Sequence, residues 1–195
     1  MSDPVEVLDF WLRKIGPDGW YAGGEAIDGA CRAEMGDLCT AAREGMLEHW
    51  VDGTVGTLAY LILTDQMSRN IHRGTALAFA SDARARAAAR KAVEMGWDIA
   101  APEPERQFFY LPFEHSEDPE DQALAVKLLT ERMPSSPDTG LHALVHQEMI
   151  RRFGRFPLRN AALGRVSTPQ EQDFLANGGY MAVLNALRGS HAPDA

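Results

Sequence analysis

One stretch limits the folds open to this chain more than any other. Residues 54–70, TVGTLAYLILTDQMSRN, are apolar on nearly every side until a polar end. A single apolar stripe marks a helix lying on a surface, whereas a helix that is apolar all round has to be covered all round. The run is shorter than the roughly 20 apolar residues that a bilayer asks for. The pattern therefore predicts a central helix wrapped by its neighbours in a soluble fold.

The neighbours follow from spacing and caps. Asp3-Pro4-Val5-Glu6 has the form of a capping box with proline at the first helical position. Val5, Leu8, Trp11, Leu12 and Ile15 continue it as one stripe until Gly16-Pro17. Ile27, Cys31, Met35, Leu38 and Ala42 line a second helix with Gly45 as its C-cap. Thr54 is the expected N-cap of the central helix, and Ser81 that of an Ala/Arg helix over 82–94 that closes near Gly96. Residues 104–113 predict a short aromatic helix ending near Pro112, and Asp118-Pro119 opens the next, which reaches about Arg132. A Pro/Ser loop over 133–139 precedes a helix over about 140–153. Thr168-Pro169-Gln170-Glu171 is a capping box for the helix carrying Phe174 and Leu175. Alternating strand-type runs are hard to find. The expected class is all-α, with antiparallel helix pairs stacked as a compact bundle or short solenoid. One domain is expected over 1–187, with a disordered tail over 188–195.

Charge narrows the partners. The 195 residues hold 19 Lys plus Arg against 28 Asp plus Glu, a net −9, which argues against nucleic acid as the partner. The opening residues, MSDPVEVLDF, lack the basic and apolar regions of a signal peptide, and no membrane partner is expected. A cytoplasmic location fits these features and the two cysteines, Cys31 and Cys39, which one helix would hold about 12 Å apart, beyond disulfide reach. No cofactor is expected.

Four groups of residues are able to carry chemistry. Asp65, Gln66, Arg69, Asn70 and Arg73 close the apolar helix; Asp65, Arg69 and Arg73 share a face, as an anion site or a satisfied polar network requires. The apolar stretch Phe108–Phe113 delivers His115, Ser116 and Glu117 to a turn, where His115 or Glu117 offers acid–base chemistry and Ser116 or Asp118 a cap for the next helix. Arg155, Arg159 and Asn160 follow Arg151 and Arg152 in a run interleaved with aromatics. His142 and His146 sit one helical turn apart, the spacing of a two-histidine metal site, with His115 or Glu117 as a third ligand. An Arg-Asn, three residues, Gly pattern occurs at Arg69-Asn70…Gly74 and again at Arg159-Asn160…Gly164.

These motifs carry a resemblance. With Val7-Leu8-Asp9-Phe10-Trp11, Leu63-Thr64-Asp65-Gln66-Met67-Ser68-Arg69-Asn70, Tyr110-Leu111-Pro112, His115-Ser116-Glu117-Asp118 and Phe153-Gly154-Arg155-Phe156-Pro157-Leu158-Arg159-Asn160, the chain resembles the bacterial domain-of-unknown-function family nine-two-four over nearly its whole length. The resemblance implies an all-helical fold similar to tetratricopeptide-repeat proteins and implies no reaction. Two positions depart from the family pattern: Met67-Ser68 stands where Phe-Pro is usual, and Leu158 where a histidine is usual. His115 and His146 are thus left as the motif histidines.

The leading functional expectation is the binding of a small anionic molecule or an acidic peptide end between helices, by Asp65, Gln66, Arg69, Asn70, Arg73, Arg155, Arg159 and Asn160, with His115 and Glu117. The alternatives are a small-molecule hydrolase or transferase with His115 or His146 as general base and Glu117 as a further catalytic candidate, and a scaffold for protein partners.

Overall fold

In the computed structural model, which describes residues 3–190, regular structure is helical and no strand occurs among the described residues. The expected all-α class is what the chain adopts. By internal contacts it divides into two compact units, Met1–Pro112 and Phe113–Ala195.

In the first unit, α1 (Pro4–Leu8) runs on as a π-helical stretch, Asp9–Ile15, and stops where Gly16 takes φ 70°. The Asp3 carboxylate caps α1 by accepting from the Val5 N–H at 2.9 Å. A single turn, α2 (Pro17–Trp20), precedes α3 (Glu25–Arg43), which buries Cys31, Met35, Cys39 and Ala42. Both cysteines are free. The predicted central helix comprises α4 (Thr54–Leu61), a π-helical turn (Ile62–Met67) and α5 (Ser68–Ile71), and every residue from Thr57 to Ser68 is buried. Helices α1, α3 and α6 (Asp82–Met95) pack along it. Trp11, Trp20 and Phe108 meet edge to face, and the Trp20 indole N–H donates to the Trp11 carbonyl at 2.9 Å.

Three local expectations are corrected. Gly53 at φ 124° occupies the N-cap of α4, while the Thr54 hydroxyl donates to the Trp97 carbonyl at 2.8 Å. Ser81 sits at the N-cap position of α6, but its hydroxyl donates to the Thr64 carbonyl at 2.6 Å. That carbonyl lies in the π-helical turn, where the ladder register is shifted and acceptors become available. Pro112 does not end the aromatic segment, which is a 3₁₀ stretch (Glu105–Phe109); it opens α7 (Leu111–Glu114), in a first turn where a missing N–H costs nothing.

Gly56 lies tight against the Trp50 backbone, since a Cβ there would stand 2.3 Å from the Trp50 carbonyl oxygen. Gly56→Ala should therefore destabilise the chain by about 1–3 kcal/mol, as forced overpacking does. Gly36 lies inside α3 with open space, nothing within 4 Å, where a Cβ would stand, so Gly36→Ala should stabilise by roughly 0.5–1 kcal/mol. Urea unfolding midpoints moving in opposite directions would bear this out; equal shifts would contradict it.

In the second unit, α8 (Pro119–Glu131) and α9 (Pro137–Phe153) form the most extensive helix pairing among the described residues. The short loop between them makes this an antiparallel hairpin. The expected capping box opens α10 (Pro169–Ala176), with Thr168 and Glu171 each bonding the other's backbone N–H. Helix α11 (Gly179–Ser190) packs on α9, and its Val183 and Leu184 share a core cluster with Val145, Met149 and Ile150 of α9 and with Phe156 beyond its end. The rest of the expected tail, 191–195, lies outside the described residues.

Candidate functional site

The polar end of the central helix is a network of paired charges. Asp65, 1% exposed, lies 3.2 Å from Arg69 Nη1 and accepts from the Gln66 amide. Arg69 also reaches both carboxylate oxygens of Asp82, at 3.1 and 3.2 Å. Asp28, from α3, accepts from Arg73 Nε at 2.6 Å, Arg73 Nη2 at 2.8 Å and the Asn70 amide at 2.8 Å. The Arg73 bond leads in holding the Asp28 carboxyl below the usual carboxylate range, against the opposing effect of burial.

The second Arg-Asn pattern has a similar local chemistry. Glu171, 2% exposed, accepts from Arg155 Nε at 2.6 Å, Arg155 Nη2 at 2.8 Å and the Asn160 amide at 3.3 Å. In each unit, then, one buried carboxylate holds an arginine fork and the pattern's asparagine. Gly74 at φ 79° and Gly164 at φ 64° close the two patterns in the left-handed region. The Arg155 bond pulls the Glu171 carboxyl down to about 2. Its contribution to stability is therefore present above the usual 4.5 and is lost as pH falls through about 2.

The turn after α7 gathers the histidines. Glu114, 3% exposed, places Oε1 2.7 Å from His146 Nδ1, which also lies 3.0 Å from the His142 carbonyl. Both neighbours of Nδ1 are acceptors, so that nitrogen carries the proton, and in the neutral ring Nε2 holds the lone pair. Burial opposes charge on His146, but the Glu114 carboxylate offsets this and lifts the imidazole above its ordinary 6.5. Glu114 is correspondingly lowered: burial raises its carboxyl, and the charge and bond of His146 more than reverse that. His142 goes the other way, lowered by burial, with its Nδ1 bonded to the Tyr180 hydroxyl. Burial likewise pushes the Tyr180 phenol up.

Around this pair the rings close in. The His146 ring centroid lies 6.0 Å from His115, 5.5 Å from Phe156 and 5.4 Å from Tyr180, and its side chain remains 19% exposed. The Arg159 guanidinium sits 4.5 Å over the same Phe156 ring and donates to the His115 carbonyl at 2.9 Å. The turn is held from behind by Gln122, fully buried, whose amide donates to the carbonyls of Glu114 at 2.6 Å and Ser116 at 2.7 Å. Glu117 accepts from Arg165 at 2.8 and 2.9 Å and from the Phe156 N–H at 2.8 Å. Ser116 Oγ accepts from the Asp118 N–H at 3.2 Å, a turn contact.

Of the residues expected from sequence, Asp65, Gln66, Arg69, Asn70 and Arg73 belong to the first unit, and His115, Glu117, His142, His146, Arg155, Arg159 and Asn160 to the second. The sequence pattern does not single out Glu114, Tyr180 or Asp28. Glu114 carries a usable signal, a carboxylate ending the apolar run Phe108–Phe113, where a buried charge demands a partner. Among the described residues no group of three or more His, Cys, Asp or Glu side chains is arranged to hold a metal ion. No helix of the described residues is long and apolar enough to cross a membrane.

A family model described as a bacterial protein of unknown function, DUF924, matches residues 7–179. A solved structure of a protein of unknown function from Agrobacterium tumefaciens is similar at 39% sequence identity and a TM-score of 0.83, covering 90% of this chain and 97% of that one. No curated protein matches the chain.

Proposed function

We propose that this chain, which belongs to the bacterial family DUF924, is a small-molecule hydrolase or transferase whose second unit uses His146 as general base on an anionic substrate. The observation that carries this reading is the Glu114–His146 pair. A buried carboxylate fixes Nδ1 as the protonated nitrogen and turns a partly exposed ring into a base through Nε2. Arg159 is the residue assigned to the substrate's negative charge, because it and His146 lie against the same Phe156 ring. His115 borders the site, and Glu117 orients the Phe156 segment through its backbone. Asp65, Gln66, Arg69, Asn70 and Arg73 are read as framework, in keeping with the carboxylates that hold both arginines.

In this reading, neutral His146 takes a proton from an attacking water or hydroxyl, and Glu114 stabilises the imidazolium that forms. The raised imidazole sets an activity limb that climbs as pH rises through a value above 6.5. Hydrolysis of 4-acetoxybenzoate, an anionic aryl ester whose own carboxylate cannot reach the ester, tests it. Turnover should fall by about 100-fold or more in His146→Gln, the usual scale of general-base loss. Arg159→Gln should raise KM about tenfold with little change in kcat. Equal rates for the parent chain and His146→Gln would overturn the reading.

A further inference from the structure

We propose that an open surface groove of about 450 Å³ in the first unit, with Tyr60 in its lining and α6 as one wall, is a binding site for a small organic acid with a flat apolar body. The groove is lined by Glu48, Val51, Tyr60, Arg84, Lys91 and the alanines of α6, and lies in the size range of small-molecule sites. It is separate from the acid–base pair of the second unit.

Three observations point to a ligand of this kind. The Tyr60 side chain is 1% exposed, yet its hydroxyl makes no hydrogen bond of good geometry, even though the Arg84 guanidinium lies beside it. A buried hydroxyl left in that state carries a desolvation cost that a ligand acceptor removes. The charged residues of the lining are Arg84, Lys91 and Glu48, two cations against one carboxylate, in a chain whose net charge is −9. Arg84 pairs with Glu48 and rests against Gly45, where a Cβ would come within 2.9 Å of its Nη1. Lys91 donates to the Val51 carbonyl at 2.7 Å and lies 5.2 Å over the Trp97 ring. Both cations hold a partner on the protein before any ligand arrives and remain exposed to one. The remaining wall, Ala83, Ala87 and Ala88 with Val51, offers methyl groups only, so an apolar plate can lie close to the helix.

The probes are benzoate and its neutral counterpart benzyl alcohol, titrated into ¹⁵N-labelled protein while the amides of Ala83, Ala87 and Lys91 are followed. Benzoate should shift these amides saturably, and benzyl alcohol should bind at least about tenfold more weakly, a difference of about 1.4 kcal/mol. Ala87→Leu, at an exposed wall position, should keep the dispersed spectrum of the folded chain and weaken benzoate by about tenfold or more. Shifts that grow linearly without saturation, or that are the same in Ala87→Leu, would overturn the site. Equal affinity for benzyl alcohol would overturn its preference for an acid.

Discussion

Replacing Arg69 by alanine should lower the melting temperature by roughly 6–12 °C, the equivalent of about 3 kcal/mol or more in a chain of this length. Asp65 is almost wholly buried in the middle of an apolar helix, and Arg69 is the cation 3.2 Å away. The same guanidinium ties Asp82, in the first turn of α6, to the central helix by two bonds. Removing it strands a buried carboxylate and unfastens two elements at once, which is the costly way to break an ion pair. Arg69→Lys should recover only part of the loss, because one ammonium cannot reproduce the fork. An unchanged or raised melting temperature would instead mark Arg69 as held for ligand binding at some expense to stability.

Glu114→Ala should destabilise the second unit by about 3–5 kcal/mol, the range for removing one partner of a buried pair. The loss should depend on pH in a stated direction. His146 is raised in the folded chain, so its contribution is complete below about 6.5 and is lost as pH rises through the folded value. Glu114 is lowered, so its contribution is complete above about 4.5 and is lost as pH falls through its folded value. The difference between Glu114→Ala and the parent chain is therefore largest between about pH 4.5 and 6.5. Urea unfolding at pH 5.5 and at pH 9 measures it. A difference that does not shrink at pH 9 would mean that Glu114 acts by packing rather than by charge.

Local grammar explains what was legible in the sequence. Thr168 and Glu171 form their box because both partners lie within four residues, and Thr57–Ser68 of the central run is buried because its composition leaves no polar face. Thr54 and Ser81 defeat the same grammar, since their hydroxyls find carbonyls 43 and 17 residues away that compete with capping. The site was half legible for a similar reason. Residue type and spacing single out His142 and His146, but nothing local joins His142 to Tyr180 across 38 residues, or Asn70 to Asp28 across 42. Those pairings come from tertiary packing, which sequence spacing does not encode. The Arg-Asn echo was legible as a pattern, whereas the carboxylate that each copy clasps lies outside it.

The central claim, that Glu114 makes His146 a base through Nε2, is tested most directly by titrating the imidazoles in ¹⁵N NMR spectra of the parent chain and Glu114→Gln. His146 should titrate above 6.5 with its neutral form protonated at Nδ1, and His142 below 6.5. In Glu114→Gln the His146 value should fall, because the neutral amide no longer favours the charged ring. A His146 that titrates at or below 6.5 in the parent chain, or that is indifferent to Glu114→Gln, would contradict the account.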